Sequence, residues 1–269
     1  MRPQAWAGRE VLLGLALAAL SFVFSAGLLV ALVAITGADY QVNDVGDWFV
    51  KAGTVAKYAD ERLAAAASGQ PLPKPPRILA DQVAVRLAMT TTLAYEVLLV
   101  VIALAVSRQT PRAFVRALGL GGYRARWLWR PAVFVVAAYL MVGVYVLVVE
   151  ALGIDALVPA STVPAAVTRD GATMALAAVV AAVAAPFAEE TFFRGFVFTG
   201  LLRWGFWPAA AVSAALFTLA HLDVGSMIPF FVIGLALAWL YWSRASLWES
   251  VAFHAMFNTV SLVLLYAGR

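Results

Sequence analysis

The stretch ATMALAAVVAAVAAPFAEETFFRGFVFTGLL, Ala172 to Leu202, decides the fold. Its only ionisable side chains are Glu189, Glu190 and Arg194, flanked by Phe187, Phe192, Phe193 and Phe196. About 20 apolar residues cross the hydrocarbon of a bilayer. The stretch therefore predicts a transmembrane helix, long enough to be tilted or broken. Ionisable groups at membrane depth are costly, which makes these three a candidate functional site.

Six further apolar runs read the same way, at roughly 11–36, 87–106, 131–153, 207–222, 227–242 and 246–267. The expected fold is an all-α, polytopic transmembrane helix bundle of about 7–8 spans, the eighth arising if 172–202 is broken. Composition agrees. The chain is 64% hydrophobic and 13% charged, with a mean hydropathy of +0.89. A soluble domain is nearer half apolar and a quarter charged. There is no cysteine, which removes disulfides, thiol nucleophiles and thiolate metal sites and says nothing of redox compartment. The run from Val11 to Ile35 is too long for a typical signal-peptide core and reads as a retained span. Cleavage near Ser25-Ala26-Gly27 is the alternative.

The loop 107–130 carries Arg108, Arg112, Arg116, Arg124, Arg126 and Arg130 and no acid. The positive-inside rule makes it cytoplasmic, together with Arg2 and Arg9 at the N-terminus and the turns at Arg203 and Arg244. The net charge of +4 is then juxtamembrane arginine rather than a nucleic-acid footprint. The 38–86 loop lies outside, with a surface helix expected at Trp48–Ala67 and a stiff linker at Pro71–Pro76. Seven spans would leave Arg269 outside. Gly119-Leu-Gly-Gly122 follows no strand and reads as a loop, not a phosphate-binding turn. The chain thus divides into an N-terminal transmembrane region, 1–171, and a helical core, 172–269, that holds the chemistry.

Three clusters carry that chemistry. Glu190 and Arg194 are four apart on one helix face, in the favourable order for an ion pair. Glu189 is turned about 100° away, free to act as a base on water. Phe217 and His221 are also four apart. Glu189 and His221 each lie 16 residues from Gly205, so a tight turn there would set them level. His254 and Asn258 share a face of the last helix and can donate N–H groups to an oxyanion, or simply hold helices together. Ser246-Leu-Trp-Glu249 reads as a capping box starting that helix, so Glu249 receives no catalytic role. Glu96, mid-span in 87–106, can pair with an arginine or line the cavity.

In order, these residues spell E-E-x-x-x-R, F-x-x-x-H and H-x-x-x-N. The pattern resembles the intramembrane proteases that include the type II CAAX prenyl endopeptidases and the bacteriocin-processing or immunity proteins. The resemblance covers about residues 172–265. It implies an endopeptidase in which Glu189 and His221 activate water, His254 and Asn258 stabilise the oxyanion, and Glu190, Arg194 and Phe217 support the site. No cofactor is expected. A zinc-dependent version would draw on Glu189, His221 and His254. The implied partners are a membrane-associated or lipid-anchored protein substrate and the bilayer itself, with no nucleic acid. The implied location is a membrane, here a bacterial inner membrane with the N-terminus cytoplasmic. Two rival readings are a non-catalytic immunity or scaffold protein and a transporter relaying protons. Crowding of the polar residues into the C-terminal third argues against the transporter, which would show related halves.

Overall fold

The computed structural model describes residues 6–38, 57–58, 60–65, 67–71, 73, 81–122, 125–159, 163 and 165–267. Most of the surface helix and linker expected in the 38–86 loop, together with Arg2, Arg124 and Arg269, lies outside the described residues. Those described are helical, with no strand among them. The main helices are α1 (Gly8–Thr36), α2 (Gln82–Ser107), a short α3 (Pro111–Ala117), α4 (Trp129–Ala151), α5 (Gly171–Trp204), α6 (Phe206–Ala220), α7 (Met227–Arg244) and α8 (Trp248–Ala267).

Local chemistry marks the boundaries. The Asp81 carboxylate accepts the backbone N–H groups of Val83 and Ala84 and starts α2. Thr110, followed by Pro111, starts α3. Asp170 accepts the Thr173 N–H at 2.8 Å and starts α5. Gly205, at φ +95°, makes the tight turn between α5 and α6.

Six helices are long and apolar enough to cross a membrane: α1, α2, α4 with the turn before it, α5, α7 and α8. The chain is an integral, multi-pass membrane protein. The seventh expected crossing, α6, has 15 residues and spans about 22 Å, short of a hydrocarbon core of about 30 Å. α5 is unbroken, so the described residues offer no helix for an eighth.

Contacts between turns define one end of the bundle. Arg203 lies beside Gly8, Arg244 stacks on Trp127, and the backbone N–H of Leu247 donates to the Leu118 carbonyl. Gly119, at φ +66°, sits so close to the Ala245 carbonyl that a Cβ would fall 1.9 Å from its oxygen. Arginine–tryptophan stacking at 126/127, 203/204 and 244/127 marks this end as a membrane interface.

The capping box expected at Ser246–Glu249 is not formed. The Ser246 hydroxyl donates to the Gly119 carbonyl. The buried Glu249 carboxylate instead pairs with Arg130 at 3.1 Å and Arg244 at 3.5 Å. Two arginines outcompete a helix terminus because a buried carboxylate gains more from full charges than from backbone amides.

Candidate active site

α5 is the helix on which everything else packs; α1, α2, α6, α7 and α8 all contact it. Its core, Glu190–Phe198, is buried at every residue and wound as a π-helix; Val180–Ala184 is also π-helical, with only Val180 buried. π-turns are rare and recur at functional sites. Side chains from other segments satisfy carbonyls of these turns. Asn258 Nδ2 donates to Ala181 at 2.7 Å, Ser213 Oγ to Phe193 at 2.7 Å and Trp6 Nε1 to Phe196 at 2.9 Å.

The pair expected at Glu190 and Arg194 is formed. Arg194 Nη1 donates to Glu190 Oε1 at 2.9 Å, with both side chains fully buried. The guanidinium also lies 4.2 Å over the Phe217 ring and reaches the Gly234 carbonyl at 3.4 Å. A Cβ at Gly234 would stand 2.8 Å from Ala214 Cβ and 3.3 Å from Arg194 Nη2, so glycine there lets α7 close on α6 and on the arginine. Glu190 Oε1 is shared by His254 Nδ1, at 3.0 Å.

Phe217 is the hub of the aromatic packing. It touches Phe193, His221, Phe230 and His254, with ring centroids 4.6–6.3 Å apart. Phe193 and Phe217 are each 12 residues from Gly205 and meet edge to face. The same turn carries Glu189 and His221, 16 residues out, one step further along both helices.

His221 closes α6 and is half-buried. Its Nδ1 lies 2.8 Å from the Phe217 carbonyl. A carbonyl only accepts, so Nδ1 carries the proton, and Nε2 of the neutral ring is the basic nitrogen. Glu189 is also half-buried, and its Oε2 is enclosed with no hydrogen-bond partner.

His254 and Asn258 are more committed than spacing alone suggests. With Arg194 beside it, Glu190 acts as the acceptor from His254 Nδ1–H. The ring then offers an N–H at Nε2 only when doubly protonated. Asn258 has spent one amide hydrogen on Ala181 and keeps the other. Among the described residues, no group of three or more His, Asp or Glu side chains is placed to hold a metal ion. Glu189, His221 and His254 do not form such a group.

Glu96 lies outside the three motifs. It is 4% exposed, its Oε2 has no hydrogen-bond partner, and its helix packs against the stretch of α5 that ends in Glu189. Its depth was legible in the sequence, but its neighbour on α5 was not. Trp6, Ser213 and Gly234 had no recognisable signal, since their roles depend on which carbonyls of α5 packing brings within reach and on a close helix approach.

The family model described as Type II CAAX prenyl endopeptidase Rce1-like matches residues 171–260. The matched segment runs from the first residue of α5 to within α8 and includes every residue of the three motifs. No curated protein and no solved structure matches the chain.

Proposed function

We propose, starting from a segment 171–260 that is Rce1-like, that this protein is an intramembrane endopeptidase cutting a membrane-associated or lipid-anchored protein. The match supports a peptidase at the level of the family. The observation that carries the reading is the division of labour between adjacent glutamates. Glu190 Oε1 is bonded to both Arg194 and His254, whereas Glu189 makes no hydrogen bond or ion pair among the described residues; each glutamate keeps one enclosed oxygen, Oε2, without a partner.

In this reading Glu189 and Nε2 of His221 take the proton of a water molecule, which attacks the scissile carbonyl, and return it to the leaving amine. α6 ends at His221 short of a full crossing. Non-helical backbone at such depth is tolerated where it lines a water-filled cavity, and the 221–226 turn supplies one route for water. The second N–H of Asn258, and Nε2–H of a doubly protonated His254, face the developing oxyanion. Glu190 and Arg194 hold His254 and Phe217 in register.

The metal-free route is preferred because the two imidazoles and Glu189 are not gathered into a ligand set. The substrate is expected to enter from the bilayer, in a bacterial inner membrane with the arginine-rich end cytoplasmic. The test is comparative proteomics of cells carrying wild type or Glu189→Gln. A membrane-associated protein should accumulate uncut in the variant, and the purified wild type should cleave it in the presence of chelator. Identical proteomes, or cleavage lost with chelator and restored by zinc, would overturn the respective parts.

A further inference from the structure

Glu96 sits at the middle of α2, with 14 residues from Gln82 and 11 to Ser107. α2 packs against the segment of α5 that ends in Glu189 and against the π-turn that follows. Both glutamates have an enclosed Oε2 with no hydrogen-bond partner. Each interacts electrostatically with the other, and Tyr95, the residue before Glu96 on α2, with both.

The charged groups facing Glu96 can be counted by helix. α1, which also packs on α2, has only Arg9 and Glu10, at its start, and α3 and the 165–169 turn, in contact with α2 as well, bring Arg112, Arg116 and Arg169. α5 brings Glu189, Glu190, Arg194 and, at its far end, Arg203. Glu190 is committed to Arg194 and His254. Arg194 interacts electrostatically with Glu190 and Glu189. No lysine or arginine among the described residues pairs with Glu96. Two carboxylates in one apolar place cannot both be ionised cheaply. The charge settles where a cation faces it and where exposure is greater. Both conditions select Glu189, which is half-buried and within reach of Arg194.

We propose that Glu96 is a positioning residue of this site: a neutral, proton-bearing carboxyl on α2 that donates its O–H toward the Glu189 carboxylate, directly or through one water, and holds Glu189 ionised and oriented for attack on water. This rests on the peptidase reading for its consequence, but not for its test. The carboxyl requires no co-reactant and is unchanged over a turnover.

The experiment uses the full chain in lipid nanodiscs. Infrared spectroscopy in light and heavy water should find a protonated-carboxyl C=O band near neutral pH. That band should disappear in Glu96→Gln, persist in Glu190→Gln, and persist with altered frequency in Glu189→Gln. A band untouched by Glu96→Gln, or removed by Glu189→Gln alone, overturns the proposal whether or not any substrate is cleaved. Cleavage supplies the second arm. Glu96→Gln keeps a neutral N–H donor and should retain activity, whereas Glu96→Leu should lose about tenfold to a hundredfold, the worth of a hydrogen bond to a charged group. Equal activities of these two variants, both folded by thermal melt, would also overturn it. A wild type that cleaves nothing defeats the peptidase reading and leaves the spectroscopic result to decide the protonation of Glu96.

Discussion

Glu190 is bonded on two sides and Glu189 on none, so neighbouring substitutions should fail differently. Glu189→Gln should abolish cleavage while leaving the melting temperature close to wild type. Glu190→Gln strands a fully buried guanidinium and a buried imidazole. Breaking one partner of a buried pair costs about 3–5 kcal/mol, so this variant should show a clearly lower melting temperature in detergent as well as lost activity. Gly234→Ala is the sharpest packing test. The added methyl meets Ala214 on α6 and the Arg194 guanidinium, and overpacking of this kind costs about 1–3 kcal/mol. Reduced stability with reduced cleavage is expected; a variant indistinguishable from wild type would show that α7 can retreat without disturbing Arg194.

At the level of elements, α5 works because its π-turn carbonyls find donors elsewhere. Ser213→Ala removes a buried hydrogen bond to the Phe193 carbonyl, a loss of about 0.5–1.5 kcal/mol. Thermal denaturation should register it, with no change in which substrate is cut. The start of α5 provides a pH test outside the membrane. Hydrogen bonds from the Thr173 hydroxyl and backbone N–H, and then from Arg86, hold the Asp170 carboxyl at about 2, below the usual 3.8. A carboxyl lowered on folding stabilises the fold above its unfolded value, and the contribution fades as pH falls from 3.8 through about 2. Asp170→Asn should therefore melt lower than wild type at neutral pH, and the difference should close over that acidic window. A constant difference across it would assign the loss to something other than charge.

Across the whole molecule, the helices alternate between two ends. Trp6, the 114–120 segment, Trp127, Arg203 and Arg244 gather at one of them. With that end cytoplasmic, a cysteine introduced at Gly121 should react with an impermeant thiol reagent only from the cytoplasmic side, and one at Ser68 only from outside. Reversed labelling would invert the bundle and the side on which the substrate's soluble part resides. Much of this architecture was legible in the chain. Six of the seven apolar runs became helices long enough to span, because length and hydropathy alone decide which segments lipid accepts. The seventh run, 207–222, gave up its final residues to a turn at His221, and no count of apolar residues marks that loss.

For this protein, the order and type of residues determined which segments enter the membrane, which end carries the arginines, and that Glu190 meets Arg194. Each is a local property, set by hydrophobic length, by charge between spans, or by four-residue spacing on one helix. Tertiary structure decided the rest. It wound α5 into π-turns and recruited Asn258, Ser213 and Trp6 to their carbonyls. It drew Glu249 from its helix end to two arginines, and turned His254 onto Glu190. It also packed α2, which carries Glu96, against the stretch of α5 that ends in Glu189. The physical reason is common to all of these. In an apolar interior every polar group must find a partner or do without one, and the partner is whichever group packing brings within reach, however distant it is along the chain.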